Sequence, residues 1–143
     1  MKYFSLDEFT KSKEAEKRGI KNLPTYEDIA NITRLVDVVL DPLREAYGKP
    51  IVVTSGYRCD ELNKAVGGAK NSHHRFGMAA DIHGTPNNKQ ENRRLFNLVR
   101  ELNLPFTQLI NEYDYTWVHI SYDKDDIRKE VLATTNGVEY VRV

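Results

Sequence analysis

The sequence of 143 residues contains a single cysteine, Cys59, so an internal disulfide is excluded. The fold therefore needs no oxidising compartment in which to form. Net charge is absent as well, because 21 basic residues balance 21 acidic ones. This balance argues against a nucleic-acid or anionic-membrane partner that is recognised by bulk charge. No segment approaches the run of about 20 apolar residues that a membrane-spanning helix requires, so we expect no membrane insertion.

The N-terminus also lacks the apolar core of a secretory signal peptide, because charged residues interrupt it early. We therefore expect the chain to be cytoplasmic as synthesised. It contains no internal repeat and no low-complexity linker, and its length suits one compact unit. These features predict a single domain over residues 1–143, and we expect a monomer.

Two stretches have the apolar periodicity of amphipathic helices. The first covers Thr25–Tyr47, and its opening threonine and Asp28 are spaced as a capping box. Pro42 interrupts this pattern and predicts a kink or break after Leu40. The second covers Asn87–Leu102, with its opening asparagine as the expected cap.

The remaining elements are predicted to be strands. The run Pro50–Gly56 is β-branched and closed by glycine, which is typical of a buried strand. Further strands are expected at Ala79–His83, in a hairpin of residues 107–113 and 117–122, and in a second hairpin within Val131–Val143. The fold class is therefore α+β: a small, mostly antiparallel sheet with helices packed on it, and a zinc site on the sheet face.

The candidate site starts from three residues with metal-binding side chains. His74 lies in a loop, Asp81 follows it by seven residues on a predicted strand, and His119 lies on a hairpin arm. Two imidazoles and a carboxylate can bind zinc and leave a fourth position open for water, as catalytic zinc sites do. The structural alternative is a surface histidine pair beside an ordinary strand edge, because loosely spaced His and Asp residues often match by chance.

Two further histidines are weaker candidates. His73 is adjacent to His74, and neighbouring side chains rarely point into the same site. Alternation along the strand puts His83 on the same face as Asp81. It is either a substitute ligand there or a residue that supports the ligands, and we expect the supporting role at best.

A carboxylate that could act as a general base is also predicted beside the metal. A two- or four-residue turn around Asp114-Tyr115 would pair Glu112 with Trp117. Glu112 would then share the face of His119 and lie diagonal to it. A carboxylate that is near a metal but not needed as a ligand can accept the proton of the attacking water.

The order of the motifs resembles the D-alanyl-D-alanine carboxypeptidase family of zinc peptidases, which cut bacterial cell-wall peptides. The matching blocks are Ser55-Gly56-Tyr57-Arg58, Leu62-Asn63, Val66 to Ala69, Ser72 to Asp81, and Trp117 to Ser121. The resemblance implies that His74, Asp81 and His119 are the zinc ligands.

The resemblance also implies roles for two residues around the ligands. Arg58 would hold a substrate carboxylate or carbonyl, a task that suits the planar guanidinium. The alternative for Arg58 is a structural salt bridge. Ser72 would either hydrogen-bond the substrate or orient the loop.

One position departs from the family pattern. Many members carry the catalytic acid three residues before the last histidine, where this chain has Thr116. Threonine is no general base at neutral pH, so Glu112 is the predicted replacement and Asp114, expected in the turn, is the second choice. If neither carboxylate reaches the site, the protein would bind wall peptides without cutting them.

The resulting expectation is a zinc-dependent peptidase that acts on the peptide stems of peptidoglycan. Whether it is a carboxypeptidase or an endopeptidase is open, and Tyr57, Phe76 and Trp117 are candidates either for the groove wall or for the core. A phage or prophage lysis enzyme fits the expected location. The alternatives are a non-catalytic wall-binding or phage structural module and a cytosolic zinc dipeptidase.

Overall fold

The computed structural model describes residues 1–143, with six α-helices and one six-stranded sheet. The helices are α1 (Asp7–Thr10), α2 (Lys13–Arg18), α3 (Tyr26–Leu35), α4 (Asp41–Tyr47), α5 (Asp60–Ala65) and α6 (Lys89–Glu101). A π-helical segment (Val36–Leu40) joins α3 to α4, and a 3-10 turn (His73–Phe76) precedes β2. The strands are β1 (Val52–Ser55), β2 (Ala79–His83), β3 (Gln108–Glu112), β4 (Trp117–Ser121), β5 (Glu130–Thr134) and β6 (Val141–Arg142). None of the helices has the length and apolar character needed to cross a membrane.

The first predicted helix is confirmed together with its cap. The amide of Asp28 donates to Thr25 Oγ1 at 3.1 Å, and the amide of Thr25 donates to Asp28 Oδ2 at 2.9 Å. The predicted irregularity near Pro42 takes the form of the π-helical segment, which ends at Leu40. Proline then lies in the first turn of α4, directly after the join between the π-helical segment and α4.

The second predicted helix is confirmed with a different cap. Asn88, not Asn87, precedes α6, and its Oδ1 accepts a hydrogen bond of 2.8 Å from the amide of Glu91. The side chain of Asn87 instead accepts a hydrogen bond from Asn92, which is buried. Both asparagines suit a cap chemically, so the choice depends on this tertiary contact.

The sheet has the strand order β1-β2-β4-β3-β5-β6 and is open and mixed. The prediction of a mostly antiparallel sheet is therefore corrected: β3 and β5 pair in parallel, beside antiparallel pairings of the other neighbours. After β4 the chain crosses to the far side of β3 and runs in the same direction as β3. Hydrophobic periodicity carries no information about such a crossover, so the sequence does not predict it.

The first strand differs from its prediction, and the two hairpins agree with theirs. Val52–Ser55 is an edge strand, and Val52 is 40% exposed, so the expectation of a buried strand was wrong. In the β3–β4 hairpin, Glu112 pairs with Trp117 as predicted. The C-terminal arms also pair antiparallel, with Leu132 opposite Arg142.

The core lies on one face of the sheet. Apolar residues of α3, the π-helical segment, α4 and α6 form a single cluster with alternate residues of the central strands: Ala80, Ile82, Leu109, Val118 and Ile120. Because successive strand residues point to opposite faces, Asp81 and His119 project from the other face. The helices therefore leave one side of the sheet free for a site.

Candidate active site

The open face of the sheet carries a row of side chains across four strands. Asp81 on β2 is opposite His119 on β4, His119 is opposite Ile110 on β3, and Ile110 is opposite Leu132 on β5. Glu112 lies two residues beyond Ile110 on the same strand, hence on the same face and diagonal to His119. The strand register thus brings an aspartate, a histidine and a glutamate together, and the hairpin argument predicts the part of this arrangement that joins Glu112 to His119.

His74 reaches this face from the 3-10 turn, which several hydrogen bonds hold in place. Ser72 Oγ accepts from the amide of His74 at 3.2 Å, and Asn31 on α3 donates to the carbonyl of Phe76 at 2.9 Å. The buried imidazole of His74 has its Nδ1 at 2.7 Å from the carbonyl oxygen of Gly56. A carbonyl only accepts, so Nδ1 carries the proton and Nε2 is left as a free electron-pair donor.

The three predicted ligand residues form one cluster. Nε2 of His74 lies 3.4 Å from Asp81 Oδ1, and Nδ1 of His119 lies 3.1 Å from the same oxygen. One ligand atom from each residue can be chosen so that all lie within 4.8 Å of one another. Ligand atoms at about 2 Å from a tetrahedral zinc ion are roughly 3.3 Å apart, so the donor set and its spacing fit zinc.

The protonation states also suit a metal centre. Burial alone would raise the pKa of Asp81, but the imidazoles of His74 and His119 more than offset it and hold this pKa below its usual range. Asp81 is therefore ionised at neutral pH and can act as an anionic ligand. A cation between the imidazoles and the carboxylate would favour the same state.

Glu112 differs from Asp81 in its electrostatics, although both carboxylates share the open face. Its side chain is 8% exposed, and burial raises its pKa above the usual value. The neighbouring His119 lowers this pKa in part, and the charge of Asp81 raises it further. A carboxylate whose proton affinity is raised accepts a proton more readily, as a general base must.

The second candidate for the base, Asp114, and the residue at the family's catalytic-acid position, Thr116, both have partners within or beside the turn. Asp114 lies in the β3–β4 turn, and its carboxylate pairs at 2.8 Å with Lys89 on α6. The hydroxyl of Thr116 donates to the carbonyl of Tyr113 at 2.6 Å, within the same turn. Among the acidic candidates, Glu112 is therefore the one beside the metal-ligand cluster.

Arg58 lies in the same cleft, near the end of the sheet formed by β1. Its Nη1 donates to Asn63 Oδ1 at 3.1 Å, so its side-chain partner is an amide rather than the carboxylate of a salt bridge. Burial lowers the pKa of Arg58, and Asp81 acts against that change. The guanidinium remains charged, and its charge is available to a ligand in the cleft.

The cleft above this face has a volume of about 610 Å³. Its floor includes Ile110 and Leu132, and residues 66–69 and 71–74 line the side near Arg58. A larger groove of about 1040 Å³ lies beside the outer edge of β1, between β1 and α2. We place the candidate site in the smaller cleft, because that cleft contains the metal-ligand cluster and Glu112.

The two additional histidines stay outside the cluster. His73 lines the cleft, and burial together with the nearby His119 lowers its pKa. Nδ1 of His83 bonds the carbonyl oxygen of Gly84 at 2.7 Å, so this ring is engaged at the end of β2. Neither belongs to the group whose ligand atoms converge.

The three predicted aromatic residues occupy different environments. Tyr57 belongs to the core, where burial raises the pKa of its hydroxyl to about 12. Trp117 lines the cleft, and its ring contacts that of Tyr113 in a tilted arrangement, with 5.2 Å between ring centroids and an interplanar angle of 40°. Phe76 is 39% exposed, with the guanidinium of Arg75 over its ring.

Several residues of the cleft escaped the sequence analysis. Ile110, Leu132 and Tyr140 reach it only through the pairings of β3, β5 and β6, which local patterns do not encode. Asn63 stands in one of the matched blocks, but Arg58 lies before the start of α5, so no helical spacing predicts the contact between the two.

Comparison with known proteins identifies the family of this chain. The model of one family, described as Peptidase M15, matches residues 2–121. The zinc D-Ala-D-Ala carboxypeptidase of Streptomyces albus G is 50% identical over 44 residues, which are 30% of this chain. The match spans only 17% of that carboxypeptidase. The predicted family and the predicted class of enzyme, a peptidase, are confirmed by the family match over most of the chain. The chain therefore belongs to the peptidase M15 family.

Proposed function

We propose that this chain is a single-domain, zinc-dependent peptidase that hydrolyses peptide bonds in the stem peptides of peptidoglycan, in cell-wall lysis or remodelling. The observation that carries the proposal is the convergence of His74, Asp81 and His119 on the open face of the sheet, beside Glu112. The similarity to the zinc D-Ala-D-Ala carboxypeptidase from Streptomyces albus G supports both the metal and the substrate class.

Zinc would be held by Nε2 of His74, Nδ1 of His119 and the carboxylate of Asp81. When bound, zinc polarises the scissile carbonyl and lowers the pKa of a coordinated water molecule. The carbonyl of Gly56 supports this arrangement, because its bond to Nδ1 of His74 orients the ring and selects the tautomer.

Glu112 would act as the general base. Its carboxylate takes one proton from the attacking water while the oxygen of that water bonds to the carbonyl carbon. When the C–N bond breaks, the same proton passes to the leaving amine. The raised pKa of Glu112 supports both steps, because a stronger base takes the proton and its conjugate acid can still release it.

Arg58 would anchor the substrate, and Ser72 would orient the ligand loop. The guanidinium in the cleft suits a carboxylate or carbonyl oxygen of the peptide, with which it forms charge-assisted hydrogen bonds. Ser72 Oγ is engaged by the amide of His74, which supports a positioning role.

The proposal is tested by mass spectrometry of muropeptides after incubation of purified peptidoglycan with the zinc-loaded protein. Loss of terminal D-Ala would identify a carboxypeptidase, and cleavage within the stem or a cross-link would identify an endopeptidase. The Glu112→Gln variant, loaded with zinc in the same way, is the control for a contaminating activity. Unchanged muropeptides would refute the proposal, and hydrolysis of free D-Ala-D-Ala alone would indicate a dipeptidase. Binding to the wall without any cleavage would indicate a non-catalytic module.

A further inference from the structure

The side of the cleft that lies farthest from Arg58 is built by residues outside the family match. That match ends at residue 121, whereas the cleft is also lined by Arg128, Leu132, Gly137 and Tyr140. The parallel pairing of β5 with β3 puts Leu132 beside Ile110 and so extends the floor. The C-terminal segment is thus part of the site.

The turn between β5 and β6 is held firmly against the β3–β4 hairpin. Gly137 has a φ of +72°, and a Cβ at this position would overlap the hydroxyl of Tyr113. Oγ1 of Thr134 accepts hydrogen bonds from the amides of Asn136 and Gly137, the latter at 2.9 Å. These contacts order the turn, and Tyr140 follows this turn and precedes β6.

The phenol of Tyr140 is available to a ligand. The side chain is 45% exposed, and its hydroxyl has only a long contact of 3.4 Å to the carbonyl of Gly137. Burial, and then the nearby charge of Glu112, raises the pKa of this hydroxyl. The phenol therefore keeps its proton at neutral pH and can donate a hydrogen bond.

We propose that Tyr140 is a substrate-contacting residue, whose phenol donates a hydrogen bond to a carbonyl oxygen of the bound peptide. The strand order supports this role, because β1 and β6 are opposite edges of the sheet, and Arg58 and Tyr140 lie next to them. A peptide that crosses the metal-ligand cluster can therefore meet a donor at each end. The inference rests on the proposed peptidase function and adds a contact from a segment beyond the family match.

The test compares wild type with Tyr140→Phe, which removes one hydroxyl and keeps the ring. Tyr26→Phe is the matched control, because Tyr26 is 94% exposed and lies at the start of α3. Binding of a synthetic stem pentapeptide is measured by calorimetry in zinc-loaded Glu112→Gln protein, with and without Tyr140→Phe, because the slowed turnover of this variant keeps the peptide intact during the titration. Zinc stoichiometry and the free energy of unfolding are measured for each variant.

Loss of the hydroxyl should weaken peptide binding by roughly 5- to 10-fold, in the range of one neutral hydrogen bond. The value of kcat/KM in the wild-type background should fall by a similar factor, whereas zinc content and stability should not change.

Unchanged binding and turnover in Tyr140→Phe would overturn the inference and leave the peptidase function standing. Lost zinc or lost stability would overturn it too, since Tyr140 would then be structural. If the wild type neither binds nor cleaves the peptide, the proposed function fails as well.

Discussion

Replacement of Glu112 by glutamine tests the assignment of the general base. Glutamine has nearly the same size and shape as glutamate but cannot accept a proton at neutral pH. General acid–base catalysis contributes about 10²- to 10⁴-fold to rate, so kcat should fall by that factor. Zinc content should be unchanged, because Glu112 lies outside the group of converging ligand atoms.

The same substitution should not destabilise the fold. Glu112 is 8% exposed, and no side-chain hydrogen bond contributes to its pKa shift, so glutamine loses no partner that the carboxylate had. Burial disfavours the charged form, so the free energy of unfolding of Glu112→Gln at pH 7 should equal or exceed that of wild type. Urea unfolding and metal analysis provide these two controls.

The assay is release of D-Ala or of cleaved stem peptide from purified substrate, followed by liquid chromatography with mass detection. Glu61→Gln is a matched control, because Glu61 is an exposed glutamate on α5. This control should retain wild-type turnover. Undiminished turnover by Glu112→Gln with full zinc content would remove Glu112 from the mechanism and contradict the reasoning from strand register.

Three further predictions follow from the structure. Gly68→Ala should raise KM and leave zinc content unchanged in metal analysis. The added Cβ overlaps Asn63 Oδ1 and lies 2.7 Å from Nη1 of Arg58, so it displaces the guanidinium. An unaltered KM would argue against Arg58 as the anchor. Thr25→Ala should lower the free energy of unfolding by about 1 kcal/mol in urea denaturation, since it removes the side-chain cap of α3. An unchanged free energy of unfolding would show that the cap does not contribute to stability. In metal-free protein the folded state holds the Glu112 proton to higher pH than the unfolded state does. Stability should therefore fall as pH rises above 4.5, the ordinary pKa of a glutamate, toward the raised pKa of Glu112. Stability curves from pH 4 to 8 should show a smaller fall for Glu112→Gln, and identical curves would contradict the raised pKa.

Local signals in the sequence were sufficient for the parts of the site that depend on one hairpin or one cap. The capping box of α3 and the pairing of Glu112 with Trp117 both follow from short-range chemistry, and both are present. The alternation of strand residues likewise places Glu112 on the same face of this hairpin as His119. These features needed only spacing and residue type.

The remainder depends on contacts between distant segments. The parallel placement of β5 beside β3 results from a crossover, and it brings Leu132 and Tyr140 into the cleft. The cap of α6 is displaced by one residue because Asn87 is engaged by Asn92. Likewise, the carbonyl of Gly56 comes to His74 only after the chain has folded. No periodicity in the sequence encodes these pairings.

The central claim, that His74, Asp81 and His119 hold a catalytic zinc ion, is tested most directly by a crystal structure of the zinc-loaded protein. Diffraction data collected on both sides of the zinc absorption edge locate the metal by its anomalous signal. The account predicts one strong peak on the open face of the sheet, at about 2.0–2.2 Å from Nε2 of His74, Nδ1 of His119 and a carboxylate oxygen of Asp81. A peak at His73 or His83 instead, or no peak within the cleft at full zinc loading, would contradict it.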